Sequence, residues 1–155
     1  MSNFIYGNIF CDSLSKDDIV LICSSIKNYC INHDIGVHFE KTMLVTFDIN
    51  SIRFQLSDDF DVLYCEHFME PIIYTLNGKP IIDPINKNLD VLEGLIKGIL
   101  CYDSVNKVEL KFSYIEVDEC EYKEYETNIN MMKSVILLEY LKSVQMPVIK
   151  IIINK

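Results

Sequence analysis

A helical stripe near the start of the chain constrains the fold more than any other feature of the sequence. Apolar side chains recur there every three or four residues, the spacing of one face of an α-helix. Ser15 and Asp18 precede the stripe with the spacing of a capping box, and Asn32 to Gly36 supplies a stop. The pattern predicts a helix over about residues 16–32 that must bury one face. The stripe consists of Ile19, Ile22, Cys23, Ile26, Tyr29 and Cys30.

Strand-like segments precede and follow this helix. Phe4 to Cys11 is short, aromatic and β-branched, which predicts a strand that leads into the helix. Asn77-Gly78 tolerates the positive φ angles of a type I′ turn, so its flanking segments are predicted to form a hairpin. Pro80 confines the second arm of that hairpin to a sheet edge. The hairpin arms are Ile72–Leu76 and Lys79–Ile82, and the other predicted strands are Val37–Glu40, Met43–Ile49, Ile52–Leu56, Val105–Val117 and Pro147–Ile153.

Two further helices are predicted. Leucine and isoleucine return to helical spacing from Leu89 to Leu100, with Asn88 as the N-cap. Asn128 to Val144 is apolar around most of its circumference, so we expect this third helix to be sandwiched between layers. No repeat or linker divides the chain. We therefore predict one α+β domain over residues 1–155, with three helices and a mostly antiparallel sheet of about six to eight strands.

The charge balance limits the classes of partner. The 155 residues include 23 acids and 14 lysine or arginine residues, a formal net charge of −9, which repels a phosphate backbone and favours basic protein partners. We therefore expect no nucleic-acid ligand. The first residues lack the features of a secretory signal, and every apolar stretch is far shorter than the ~20 residues of a spanning helix. These patterns predict a cytoplasmic protein that does not bind a membrane.

The residue types that hold metals or cofactors are scattered. The six cysteines form no C-x-x-C pair and are expected to be reduced thiols. Cys65-Glu66-His67 has no matching second half for a tetrahedral zinc site. The glycines form neither a phosphate-binding loop nor a dinucleotide fingerprint. We therefore predict no cofactor, no metal and no enzymatic activity.

Two acidic runs with interleaved aromatic rings are the candidate partner-binding residues. Asp58 to Glu70 contains no lysine or arginine, and Glu116 to Glu126 contains Lys123 alone, so local sequence offers these acids almost no counter-charge. Such a surface would attract a basic protein, and tyrosine adds amphipathic contact area. A solvated face that only maintains solubility is the open alternative. The candidates are Asp58, Asp59, Asp61, Tyr64 and Glu66 in the first run, and Glu116, Asp118, Glu119, Glu121, Tyr122, Glu124, Tyr125 and Glu126 in the second.

One short motif leaves an enzymatic alternative open. Glu109 and Lys111 have the E-x-K spacing that resembles the catalytic strand of restriction-endonuclease-like nucleases, in which acids hold a metal and the lysine assists the attacking water. A period of two places both side chains on one strand face. That family also requires an upstream acid, for which Asp83 and Asp103 are the candidates. Alternating charge on an exposed strand explains the same spacing, and a non-catalytic assembly subunit is a further alternative.

The opening segment Phe4-Ile5-Tyr6-Gly7-Asn8-Ile9 is similar to the start of several small immunity proteins of bacterial polymorphic and contact-dependent toxin systems. The resemblance covers about ten residues at the N terminus. It implies an acidic cytosolic α+β protein that binds one cognate toxin domain, often a basic nuclease, and occludes its active site without catalysis. No partner-binding residue is carried over from the resemblance. It leaves the oligomeric state open.

Overall fold

The computed structural model describes residues 4–12, 15–39, 51–56, 75–76, 79–80, 83–113, 121–142 and 148–155. These ranges contain three helices and eight strands, and the α+β class predicted from the sequence is confirmed. In chain order the elements are β1 (Phe4–Cys11), α1 (Lys16–Asn32), β2 (Val37–Phe39), β3 (Ser51–Leu56), β4 (Thr75–Leu76), β5 (Lys79–Pro80), α2 (Asp83–Leu100), β6 (Val105–Ser113), β7 (Lys123–Asn128), α3 (Ile129–Lys142) and β8 (Ile149–Asn154).

Six strands form one sheet in the order β2-β3-β1-β6-β8-β7. Every neighbouring pair is antiparallel except β7 with β8, which is parallel. Parallel neighbours need a crossover connection, and α3 lies between these two strands in the chain. The remaining strands, β4 and β5, pair Leu76 with Lys79 across Asn77-Gly78, as the predicted hairpin requires. Of the predicted strands, Met43–Ile49 lies outside the described residues.

Local signals place α1 correctly. Ser15 Oγ accepts a hydrogen bond from the Asp18 backbone N–H at 3.1 Å, and Asp18 Oδ2 accepts one from the Ser15 N–H at 3.3 Å. This reciprocal pair satisfies two N–H groups that have no partner inside the helix. The capping box predicted from the sequence is therefore confirmed.

The start of α2 differs from its prediction. The helix begins at Asp83, so Asn88 lies inside it and the predicted N-cap is wrong. Pro84 occupies the first turn, where its fixed φ suits a helix and its missing N–H would have had no partner. The leucine pattern therefore marked only the later part of the helix.

The environment of α3 also differs from its prediction. Met132 and Ile136 are fully buried, whereas Met131 is 52% exposed and Leu138 is 57% exposed. The helix thus covers the sheet with one side and exposes apolar residues on another, so the expected sandwiched position is wrong. A uniform apolar circumference carries no information about which side is covered.

The core lies between one face of the large sheet and a layer of helices in which α2 contacts both α1 and α3. Apolar residues alternate along the strands and point to this face. At its centre, the Phe54 ring occupies the space above Gly7, where an added Cβ would lie 2.1 Å from a ring atom. Each fully buried isoleucine or leucine contributes roughly 1.5–3 kcal/mol. The strand residues of the core include Ile5, Ile9, Ile52, Phe54, Leu56, Val108, Leu110, Phe112, Ile149, Ile151 and Ile153.

The two glycines of α2 have different surroundings. A Cβ on Gly94 would lie 2.3 Å from Tyr29 Oη of α1, and that hydroxyl donates a hydrogen bond to the Val91 carbonyl at 2.7 Å. A Cβ on Gly98 would meet no atom within 4 Å. The two helices therefore approach each other closely at Gly94, while Gly98 borders a groove of about 300 Å³ between α1 and α2.

The same substitution at these glycines should have opposite effects on stability. We expect Gly94→Ala to lower the free energy of unfolding by about 1–3 kcal/mol through overpacking, and Gly98→Ala to raise it by about 0.5–1 kcal/mol through helix propensity. Urea unfolding measures both. In a Tyr29→Phe background the cost of Gly94→Ala should shrink, because the clashing hydroxyl is gone. Equal effects at the two glycines would contradict the described packing.

Candidate functional site

The structure describes part of the second acidic run and none of the first. The described candidates lie on β7 or immediately before it, at one edge of the large sheet. They are Glu121, Tyr122, Glu124, Tyr125 and Glu126. The predictions for Asp58, Asp59, Asp61, Tyr64, Glu66, Glu116, Asp118 and Glu119 fall outside the described residues.

Strand β7 itself is an element that the sequence analysis missed. Its charge density indicated a docking or solvated segment, yet it pairs along its whole length with the apolar strand β8. Glu124 and Glu126 alternate with Tyr125 and Thr127, and this period of two with β-forming residues was the available signal. The pairing divides the run between two faces, because successive side chains of a strand point to opposite sides.

An ionic row crosses the sheet face opposite the helices. Lys150 Nζ on β8 lies 2.6 Å from a Glu124 carboxylate oxygen and 4.0 Å from Glu109 on β6. Lys111 Nζ lies 3.7 Å from the same Glu109. The hydrogen bond to Glu124 is the main cause of a raised pKa of Lys150; partial burial opposes it and the charge of Glu109 adds to it. The expectation that the acidic run lacks lysine partners is therefore wrong for Glu124.

The E-x-K residues belong to this row. Glu109 and Lys111 share the outer face, as their spacing predicts, but the charged groups that the structure places near Glu109 are lysines. Asp103, one candidate for the upstream acid of the motif, comes before β6 in the chain. The first residue of β6, Val105, lies four residues before Glu109, a separation of roughly 13 Å along a strand. In the described part of the chain, no group of three histidine, cysteine or acidic residues could hold a metal. The geometry of Glu109 therefore corresponds to charge pairing on a strand face.

On the helix-facing side of β7, Tyr125 connects the strand to α3. Its hydroxyl donates a hydrogen bond to Glu139, and Lys123 Nζ lies 3.2 Å from the same carboxylate oxygen. Glu139 is only 7% exposed, and a buried carboxylate needs such partners. Tyr125 and Lys123 thus satisfy a charge under α3, which leaves Tyr125 less available to a partner than the sequence suggested.

Of the described acids in the second run, Glu121 and Glu126 have the least compensated charge. Both are exposed. Glu126 accepts a hydrogen bond from the neutral Asn154 amide at 2.8 Å, and within the described residues neither acid has a lysine or arginine at ion-pair distance. Tyr122 lies between these two acids in the sequence, and Lys111 Nζ lies 5.5 Å from the centroid of its ring. Negative charge is therefore concentrated at the β7 edge.

An apolar stripe on α3 lies beside this edge, and no sequence pattern predicted a function for it. Lys133 contacts Asp90 of α2 at 2.5 Å, whereas Glu139 contacts β7. Helical spacing then places one set of residues on the side of α3 that faces away from α2 and toward β7. Two of them, Met131 and Leu138, are more than half exposed. The stripe consists of Met131, Val135 and Leu138.

Comparison with known proteins adds no relative. No protein-family model, curated protein or solved structure matches the chain. Among the described helices, none combines the length and the apolar character needed to cross a bilayer. The β7 edge, with its exposed acids and apolar stripe, is therefore the candidate functional site on the strength of its own geometry.

The ionic row yields a prediction about pH. Lys150→Met should lower the free energy of unfolding by about 1 kcal/mol near pH 8. Because pairing raises the pKa of Lys150 above its unfolded value of 10.5, its stabilising effect is complete below that value and is lost as the pH rises through the folded pKa. The difference between wild type and Lys150→Met should therefore shrink above pH 10.5.

Urea unfolding between pH 8 and pH 11.5 measures this difference. Lys150→Arg is the matched control, because its guanidinium stays charged over the whole range. The difference in free energy of unfolding between Lys150→Arg and Lys150→Met should therefore persist up to pH 11.5. A difference between wild type and Lys150→Met that does not change with pH would contradict the ionic contribution.

Proposed function

We propose that this chain is a non-catalytic binding protein that neutralises a basic protein partner. The observation that carries the proposal is the concentration of negative charge at the β7 edge, where Glu121 and Glu126 are exposed and have no cationic partner among the described residues. Complementary charge accelerates association and disfavours wrong partners. The net charge of −9 extends the attraction over a longer range.

The proposed partner is the toxin domain of a bacterial polymorphic or contact-dependent system, with this chain as its immunity protein. A toxin nuclease must bind a phosphate backbone and is therefore basic, which makes it complementary to an acidic edge. The N-terminal resemblance adds support of a different kind. Its Gly7 lies under Phe54 in the core, so the resemblance concerns the framework of the domain and leaves the docking residues to be found by experiment.

Occlusion is the proposed mechanism. A protein that binds over the active site of a toxin excludes its substrate without chemistry of its own. The exposed acids at the β7 edge would occupy the positive surface that otherwise attracts phosphate groups. In this proposal the chain acts in the cytoplasm, where its cognate toxin would act.

Charge reversal at the edge tests this function. The probe is the C-terminal domain of the large protein that, on this proposal, is encoded beside the gene for this chain, and stopped-flow fluorescence measures its association rate. We expect Glu121→Lys/Glu126→Lys to lower the rate about tenfold at low ionic strength. The control Asp17→Lys/Asp103→Lys changes the net charge equally and should have a much smaller effect. Both of its positions are exposed, Asp17 on α1 and Asp103 in the turn before β6. High salt should reduce the difference.

A triple reversal at Asp58, Asp59 and Asp61 tests the first acidic run in the same assay. If this variant alone slows association, the docking surface lies on the first run and its assignment to the β7 edge is wrong. If the neighbouring toxin domain does not bind the wild-type chain, or if toxin-expressing cells are not protected by it, the proposed function is wrong.

A further inference from the structure

Strand β7 is the last strand of the large sheet. Of the described strands, β8 alone pairs with it, and Lys123, Glu124, Glu126 and Asn128 are exposed. Glu121, just before the strand, is exposed as well. An exposed edge strand is a template for pairing with another chain. The most acidic described segment of the molecule is thus also a place where a sheet can be extended.

Hydrogen bonding to β8 determines which backbone groups face outward. The Lys123 N–H donates to the Val148 carbonyl at 3.2 Å. In a parallel pair, alternate residues bond to the neighbouring strand, so Lys123, Tyr125 and Thr127 direct their N–H and C=O groups to β8. Glu124 and Glu126 therefore direct theirs to the open edge, where an added strand would find both donors and acceptors.

The two sides of this edge differ chemically. On the outer face lie the carboxylates of Glu124 and Glu126, which contact Lys150 and Asn154 respectively. On the helix-facing side lies the stripe of Met131, Val135 and Leu138. A strand added to β7 would place alternate side chains against these two surfaces. The edge therefore selects a segment that alternates cationic and apolar residues.

A second copy of the chain is a poor occupant. Consider a second copy whose β7 pairs antiparallel with the first β7 by two-fold symmetry and whose helices lie on the same face of the extended sheet. With the symmetry axis at the middle of the strand, Tyr125 of the two copies would face each other. Glu124 of one copy would then lie opposite Glu126 of the other. Like charges directly opposite each other on neighbouring strands destabilise the pairing. Charge complementarity favours a basic segment instead.

We infer that β7 accepts an extended segment of the basic partner as a seventh strand of the sheet. Main-chain hydrogen bonds to Glu124 and Glu126 supply affinity, and the two side-chain surfaces supply specificity. Lysine or arginine side chains meet the two carboxylates, and apolar side chains pack under the α3 stripe. The basic character of this partner rests on the proposed function, whereas the open edge and the stripe do not.

A peptide probe tests strand addition on the full chain. The probe is a nine-residue peptide that alternates valine and lysine, and its control has the same composition with the two residue types grouped. Hydrogen exchange followed by NMR reports on individual amides. We expect saturating alternating peptide to slow the exchange of the Glu124 and Glu126 amides at least tenfold, and the grouped peptide to slow it less than twofold. Unchanged exchange, or equal protection by both peptides, would overturn the inference.

Two neutral variants at one position separate the backbone from the charge. Glu126→Gln and Glu126→Pro both remove the carboxylate, but only Glu126→Pro removes the outward N–H. We expect Glu126→Gln to weaken peptide binding about threefold and Glu126→Pro to weaken it at least tenfold more. Protected Tyr125 and Thr127 amides would show that β7 still pairs with β8, since a proline is tolerated on an edge when its missing N–H faces outward. Equal binding by the two variants would contradict strand addition.

A third variant avoids any change in the strand. Leu138 is exposed on the stripe, so Leu138→Ser should leave the fold intact and weaken binding of the alternating peptide about fivefold. An unchanged affinity would overturn the role of the stripe.

Sedimentation equilibrium shows whether the edge pairs with a second copy. A dimer that is lost in Glu126→Pro would overturn the proposed occupant. If the toxin domain binds Glu126→Pro as tightly as Glu126→Gln, strand addition fails while the proposed function stands.

Discussion

The packing of the helices against the apolar face of the large sheet is the constraint on which the rest of the described structure depends. Side chains alternate along each strand, so the residues that pack under the helices, such as Leu110 and Ile151, determine that Glu109 and Lys150 face the other way. Register then brings acids and lysines from distant parts of the chain together. The same alternation divides the second acidic run, sending Tyr125 toward Glu139 of α3 and Glu124 toward Lys150.

This arrangement changes the meaning of the acidic run. Contiguous in sequence, its carboxylates look like one surface, but Glu124 is held by a lysine of β8 while Glu121 and Glu126 are not. An ion pair of an exposed carboxylate adds no more than about 1 kcal/mol to stability, but it fixes the position of the charge. A fixed carboxylate beside outward-facing backbone groups loses less conformational entropy when a partner binds.

The β7 edge combines three properties that soluble domains usually avoid together. A strand that pairs with a described strand on one side alone, exposed apolar side chains on α3 and acids without a described lysine or arginine partner each invite association, and here they are adjacent. The acids disfavour pairing of the chain with itself, because like charges would face one another across the new interface. Under the proposed function, the edge would thereby favour a partner of opposite charge. In the proposed function, this combination would supply both attraction to one basic toxin domain and selectivity for it.

Sequence alone determined the elements whose signals are local. The capping box of Ser15 and Asp18 and the stripe of α1 depend on residues a few positions apart, and the structure confirms them. The pairing of Leu76 with Lys79 likewise follows the hairpin predicted from the local sequence. Tertiary structure decided the strand character of β7, the exposed side of α3 and the pairing of Lys150 with Glu124. Each of these depends on a neighbour distant in sequence, because strand pairing and one-sided burial bring together residues that no local pattern relates. The candidate docking edge exists only through those pairings.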